Sequence, residues 1–283
     1  MPGGAPPEKG NGAMFSGRYR IFFILGGLLG ALSSCLPLEA ARIVSLSPAV
    51  TELIFHLGRG QDLVGRSSAC DYPPAARSLP VAGDFARPST EKLLALRPDV
   101  VITNELIVPA AANALRQYGI KVLFLPCRSI AEYRATCRAV GKVTGAEDEA
   151  KTEIKRIDGF VASCAKWPKL DRNILCLIWF QPVLAAGENT LIRELIRLVG
   201  ADCCGVQGAT GYFKPSAEFL LRCGADTLLV FEDPALFRKH PVLRHLDAVK
   251  KGRVVYFPHG KLLERPGPRF TEGVLKLREA LEK

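Results

Sequence analysis

Apart from one short run near its start, the chain has no long apolar stretch. That run, "IFFILGGLLGALSS", covers the 14 residues from Ile21 to Ser34. It is too short to cross a bilayer as a helix, and no later stretch is longer or more apolar. Catalytic signatures are missing too. There is no G-x-S-x-G elbow and no G-x-x-x-x-G-K-[ST] phosphate loop, and "GRGQDL" at Gly58 lacks the last glycine of a G-x-G-x-x-G turn. The cysteines form no C-x-x-C pair and no Cys/His cluster with zinc spacing. The net charge is +10, with twelve Lys/Arg against five Asp/Glu from Pro234 to Lys283, but no aromatic ribonucleoprotein-type run or basic helix accompanies it. Scattered solvated Lys and Arg fit this better than a nucleic-acid site, so no nucleic-acid partner is expected.

The short apolar run has a positive meaning. Arg18 and Arg20 precede it and "LSSC", Leu32 to Cys35, ends it. Basic residues before an apolar run of this length make a secretory signal, which places the body of the chain outside the cytoplasm. Residues 1–13 are rich in Gly and Pro and read as an extension, with Met14 as an alternative start. "LSSC" resembles the bacterial lipobox, in which the cysteine becomes the lipid-bearing first residue, so Cys35 is the expected attachment point. Cleavage after Ala40 is the rival. Eight cysteines then remain: Cys70, Cys127, Cys137, Cys164, Cys176, Cys203, Cys204 and Cys223. The even number permits disulfides, but pairing cannot be read from spacing, and buried free thiols are the commoner outcome in apolar runs such as "NILCLIW".

The chain is 48% apolar, and beyond the signal its apolar residues are patterned as alternating strands and helices. "RIVSLS", "DVVITN" and "KVLFLP" read as buried strands, with helices at "AVTELIFHLG" and "VPAAANALRQYG". One long helix follows from Ala146 to Trp167, with Ala150, Ile154, Ile157, Val161 and Ala165 forming a stripe. "NILCLIW", "TLLVFE" and "RVVYFP" restart the alternation, with helices at "NTLIRELIRLVG" and "TEGVLKLREALE". The expected fold is α/β: two Rossmann-like lobes, residues 41–145 and 169–283, each with a mostly parallel sheet, joined by a backbone helix at 146–168. A ligand would lie in the cleft between them, at the carboxyl ends of the strands.

A repeated phrase supports two similar lobes. "PSTEKLLALRPDVVI" begins at Pro88 and "PSAEFLLRCGADTLL" at Pro215. Laid together without a gap, Pro88, Ser89, Glu91, Leu93, Leu94 and Asp99 match Pro215, Ser216, Glu218, Leu220, Leu221 and Asp226. Ser after Pro is a natural N-cap, and a first-turn acid suits the helix dipole. Neither explains the matched spacing from Pro to Asp.

"RIVSLSPAVTELIFHLG", "CDYPPAA" and "ERPGPR", in an exported two-lobed chain, resemble the helical-backbone class of ABC-transporter substrate-binding proteins across nearly all of Ala41 to Lys283. "SSACDYPP" and "LLERPGPR" look most like the vitamin B12 (cobalamin) binders of that class. The resemblance implies a monomer that captures cobalamin or another corrinoid as ligand, uses no cofactor and is not an enzyme. Its partner would be an ABC permease dimer with its ATPase subunits. Glu91 and Glu218 match the family glutamates that dock arginine pockets on the two permease subunits. Phe85 falls where the family has a Trp against the ligand, and Lys261, Leu262, Leu263, Glu264 and Arg265 match its ligand-facing loop. Tyr72, Trp179 and Phe180, at strand ends or in following loops, are aromatic candidates for the cleft wall. Two positions depart from the pattern: Ala69 replaces a tyrosine, and Lys261 an aspartate. Haem stays open, with His259 or Tyr72 as axial ligand and His56 more plausibly structural. A siderophore gripped by Arg66, Arg87 and Arg265 and a chelatase-like enzyme are the other readings.

Overall fold

The computed structural model describes residues 41–84, 87–103, 109–204 and 208–283. The first lobe runs β1 (Ile43–Ser45), α1 (Pro48–His56), β2 (Leu63–Arg66), α2 (Thr90–Ala95), β3 (Val100–Thr103), α3 (Pro109–Gln117), β4 (Lys121–Phe124) and α4 (Ile130–Thr144). Its strands lie in the order β2-β1-β3-β4, and all three pairings are parallel. Parallel neighbours need a crossover, and helices on both faces bury the sheet, so β1 and β3 are buried at every residue. Strand alternation divides their side chains. Ile43, Val100 and Ile102 face one apolar cluster, Val44 and Val101 another.

Helix α5 (Glu147–Cys164) follows α4 after a turn at Gly145, whose φ of 68° is left-handed. Gly141 lets the two helices meet, because a Cβ there would lie 2.7 Å from that of Ala150. The helix matches the expected one and most of the expected stripe, with Ile154 and Val161 packed against the core. Ala150, Glu153, Ile157 and Cys164 are buried, whereas Ala165 is exposed. A glutamate can occupy this face because Tyr133 Oη, His56 Nε2 and Arg156 all reach its carboxylate, at 2.7–2.9 Å.

The second lobe contains β5 (Asn173–Phe180), β6 (Val183–Ala186), α6 (Leu191–Leu198), β7 (Asp202–Cys203), β8 (Tyr212–Phe213), α7 (Ala217–Arg222) and β9 (Thr227–Val230). It ends with α8 (Ala235–Lys239), α9 (Asp247–Lys250), β10 (Val254–Tyr256), α10 (Lys261–Glu264) and α11 (Phe270–Glu282). The strand order is β10-β9-β5-β6-β8, with β7 pairing the start of β5. The pairs β10–β9, β9–β5 and β7–β5 are parallel, whereas β5–β6 and β6–β8 are antiparallel. This sheet is therefore mixed, with three parallel pairings and two antiparallel ones, within the two-lobed α/β fold expected. "QP", at Gln181 and Pro182, is a two-residue hairpin turn that folds β6 straight back on β5. One apolar cluster joins the lobes, running from Ile43 and Val100 through α1, α4 and α5 to Ile174, α6 and α11. No helix among the described residues is long and apolar enough to cross a membrane.

The repeated phrase folds into the same unit twice. Ser89 and Ser216 cap α2 and α7, accepting from the N–H of Lys92 at 3.3 Å and Phe219 at 3.0 Å. Each then leads to an aspartate that brackets the residue before, or at, the start of its lobe's first strand. The Arg42 N–H donates to Asp99 Oδ2 at 2.7 Å, and the Asp99 N–H donates back to Arg42 O. The Asn173 N–H donates to Asp226 Oδ2 at 2.8 Å, and the Asp226 N–H donates to Asn173 O. This reciprocal clamp aligns β3 with β1 and β9 with β5, and gives the Pro-to-Asp spacing its structural reason.

Candidate functional site

A cavity of about 730 Å³ opens between the lobes where the strands of both sheets end. Three segments of the first lobe contribute. After β1, the chain turns directly into α1, with Pro48 at its first position, which puts Ser47, Pro48 and Ala49 on the wall. Ala69 comes from the loop after β2, and Leu125, Pro126, Cys127 and Arg128 from the end of β4. Glu132, in the first turn of α4, accepts from both the backbone and the guanidinium of Arg128, fixing it at the rim. The Ile130 N–H donates to Glu194 of α6 at 2.8 Å, tying the two lobes together.

The second lobe supplies the opposite wall. Gly187 packs against the Ala209–Gly211 segment so closely that a Cβ would sit 2.5 Å from Ala209 O. Backbone bonds of 2.7 Å link Gly187 to Gly211 and Glu188 to Ala209. That close approach sets Asn189, Thr190 and Leu191 beside Tyr212. From α10 and its following turn come Lys261, Glu264, Arg265 and Pro266. Burial raises the Glu264 carboxyl above its ordinary value, and the positive Arg265 and Lys261 only partly oppose this. Its residue surface reaches solvent from the cavity mouth, but the surrounding protein removes much of the water that would stabilise its charge.

The "ERPGPR" loop also holds the lobes together. Arg265 Nη1 and Lys261 Nζ both donate to Asp71, the lysine at 3.0 Å. Desolvation pushes the Asp71 carboxyl up, but the hydrogen bonds and charges of Arg265 and Lys261 more than reverse it and hold it at about 2. Arg269 makes a two-pronged bond to buried Glu52 at 2.7 and 2.8 Å, and its guanidinium lies 3.5 Å from the centre of the Tyr72 ring. Arg156 continues the network to Pro268 O and Thr271 Oγ1.

The sequence-stated candidates separate accordingly. Lys261, Glu264 and Arg265 line the cavity. Leu262 and Leu263 do not: an α-helix turns them inward, and they are buried in the lobe's core. Tyr72 is covered on one face by Arg269 and is not among the lining residues. Trp179 is half exposed outside the cavity, its indole N–H donating to Gln181 O, and Phe180 packs edge-on against Phe237 in the core. His259 lies against Phe257, outside the lining, and His56 pairs with Glu153. Arg66 is tied to carbonyls of Ser67, Ser68 and Arg77, and Arg87 is exposed; neither lines the cavity. Phe85 and Cys35 lie outside the described residues. Glu91 and Glu218 are both exposed, Glu218 with an Arg222 partner at 2.9 Å. No group of three or more His, Cys, Asp or Glu able to hold a metal occurs among the described residues.

Sequence reasoning missed Cys127, Arg128, Asn189 and Tyr212. "LPCR" directly follows β4, so the rule that ligands sit at strand ends would have found the first two. Asn189 and Tyr212 meet only through the Gly187 contact, which leaves no local signal.

Residues 43–259 match the model of the periplasmic binding protein family. An uncharacterized ABC transporter substrate-binding lipoprotein of Bacillus subtilis is 28% identical over 255 residues, covering 86% of this chain and 80% of that protein. A vitamin B12-binding protein of Pectobacterium carotovorum is 23% identical over 218 residues, covering 75% and 78%. Among solved structures, a periplasmic heme-binding protein of Roseiflexus superposes with a TM-score of 0.75 at 25% identity, covering 86% of this chain and 98% of that one. The two-lobed architecture, the interlobe cavity and these similarities agree: the chain belongs to the periplasmic binding protein family of ABC-transporter substrate-binding proteins.

Proposed function

We propose that the chain captures cobalamin or a related corrinoid outside the cytoplasmic membrane and delivers it to an ABC permease dimer with its ATPase subunits. The interlobe cavity carries this reading. A corrin is a broad apolar ring fringed by neutral amide arms that both donate and accept hydrogen bonds. Pro48, Ala49, Leu125, Pro126 and Leu191 provide apolar wall, while Asn189, Glu264 and the cations Arg128, Lys261 and Arg265 provide acceptors and donors at the rim. The vitamin B12-binding relative supports the same ligand class. Phe85 is proposed as a further ring contact, from its match to the family Trp.

Haem is the second reading, favoured by one observation besides the heme-binding structural relative: the Tyr212 side chain borders the cavity, where a phenolate could serve as axial ligand. In that reading Tyr212 replaces His259 and Tyr72 as the axial candidate. Purified chain exposed separately to cobalamin, cobinamide and haem, followed by absorption spectroscopy and calorimetry, decides between them. Stoichiometric corrinoid binding supports the first. No heat with any corrinoid, together with tight haem binding lost in Tyr212→Phe, establishes the second. Turnover with a tetrapyrrole and a divalent metal would instead point to a chelatase-like enzyme.

The chain is proposed to be exported and acylated at Cys35, in keeping with the lipoprotein relative. Mass spectrometry of the membrane fraction should find that modified terminus, and a mature chain beginning at Ala41 in the soluble fraction would refute it. Glu91 and Glu218 are proposed as permease anchors, since both carboxylates are exposed at matching positions on equivalent units.

A further inference from the structure

Every cation in the cavity wall is paired with a carboxylate that stands outside it. Arg128 is held by Glu132, which accepts from both its backbone N–H and its guanidinium. Lys261 and Arg265 share Asp71. The three cations line the cavity, whereas Glu132 and Asp71 are not among the lining residues. The wall carries one acid of its own, Glu264. With Glu132, Asp71 and Glu264 ionised, the three cations are matched by three carboxylates.

The period of a helix sets up the Asp71 contact. Lys261 opens α10 and Arg265 follows its end four positions on, so the two side chains share a face. Asp71, in the loop after β2 of the other lobe, meets that face with one oxygen for each cation. Its Oδ2 accepts from Lys261 Nζ at 3.0 Å, and its Oδ1 from Arg265 Nη1. The Asp71 carboxyl is held at about 2, so it carries a full negative charge at neutral pH. Each cation gives it one donor and keeps others, since an ammonium has three N–H groups and a guanidinium five. Asp71 therefore offsets charge in this part of the wall without exhausting its donors.

We propose that Asp71 is a positioning residue that sets the charge selectivity of the cavity. By holding and neutralising Lys261 and Arg265, it makes the wall favour neutral hydrogen-bond acceptors, such as amides, over carboxylates. The proposal rests on the reading of the cavity as the ligand site, and adds to it the charge class of the ligand's polar groups. A carboxylate entering a balanced wall would bring charge with no counter-ion, and would have to compete with Asp71 for the same two cations. Neutralising Asp71 leaves one cation in excess, which attracts carboxylates and does little for amides. One unit charge several ångströms from a partly sheltered ligand group alters affinity by about tenfold.

The test is calorimetry on the full chain at neutral pH and low salt, with two dicyano corrins. Cobinamide carries amide arms, and cobyrinic acid carries carboxylates in their place. The wild type should prefer the amide corrin. Asp71→Asn, close to it in shape, should raise the acid-to-amide affinity ratio by about tenfold, a gain that shrinks at high salt. Asp71→Glu, which keeps the charge, should retain the wild-type preference. The double variant Asp71→Asn/Lys261→Gln, which restores the balance, should bring the ratio back towards the wild type. Lys261→Gln alone should lower it, and decides even where Asp71→Asn fails to fold. A wild type that prefers the acid, or an Asp71→Asn that weakens both corrins equally, overturns the proposal. So does a double variant that departs further from the wild-type ratio than Asp71→Asn. If the wild type binds neither corrin, the corrinoid reading fails by itself, and the same shift in Asp71→Asn is read from haem and its dimethyl ester; an unchanged ratio there overturns the role of Asp71.

Discussion

Lys261 Nζ donates to Asp71 Oδ2 at 3.0 Å across the cleft, joining two residues 190 positions apart. The lysine is the outer member of a pair. Its side chain is 65% exposed, whereas that of Arg265, on the other carboxylate oxygen, is 18% exposed. Coulomb attraction is weakened by water, so the two contacts should not weigh equally. Lys261→Ala is expected to cost under about 1 kcal/mol, and Arg265→Ala about 1.5–3 kcal/mol, because it removes a sheltered charged hydrogen bond. Thermal unfolding of the two variants at neutral pH checks the order.

The buried Glu153 gives the stability of the chain an acid limb. Desolvation raises its carboxyl, but bonds from Arg156, His56 and Tyr133 outweigh this and hold it at about 2. An unfolded glutamate titrates near 4.3, so the native state favours the charged form. Its stabilisation is complete above about pH 4.3 and is lost as pH falls towards 2. Glu153→Gln should remove about 3 kcal/mol at pH 7, since Arg156 would be left beside a neutral group. Denaturant titrations from pH 7 to pH 3 should show the gap between variant and wild type narrowing. A constant gap would mean that Glu153 acts through shape rather than charge.

Tyr212 offers the sharpest probe of the cavity. Its ring borders the cavity from β8. Tyr212→Ala should weaken corrinoid binding by about 5- to 150-fold, the equivalent of about 1–3 kcal/mol for one aromatic contact. Trp179→Ala, outside the lining, should change affinity by less than about twofold. Calorimetry on both variants separates a cavity residue from an exposed aromatic.

How far the sequence revealed these features depended on how locally each was encoded. Strands such as "NILCLIW" and the α5 helix are written in periodicity, which burial enforces residue by residue. The β5–β6 hairpin was missed because "QP" carries no glycine or asparagine to mark a turn. The role of Arg269 was hidden for another reason: its partners Glu52 and Tyr72 come from distant segments of the first lobe. Leu262 and Leu263 sit in a motif that reads as ligand-facing, but one face of a helix recurs only every three or four residues, as Lys261, Glu264 and Arg265 do.

The two copies of the Pro-Ser phrase contain two separable functions. Asp99 and Asp226 each accept a backbone N–H at the start of a lobe's first strand, so Asp99→Asn and Asp226→Asn should each cost about 1–3 kcal/mol. Neither variant should alter permease binding once folded. Glu91 and Glu218 should behave oppositely. Both lie exposed in the first turn of a helix, so replacement by Ala should change stability by under about 1 kcal/mol and leave ligand affinity intact. Association with the cognate permease should fall in each single mutant and further in the double mutant. Reversal to Lys should be worse than Ala, because a cation would face the proposed arginine pocket. The loss should appear partly in the association rate and shrink at high salt, where steering is screened. Pull-downs by permease in lipid, with unfolding and ligand binding measured in parallel, distinguish the roles. Undiminished permease binding by the Glu91/Glu218 double mutant would leave the aspartate clamp and the serine caps as the whole reason for the repeat.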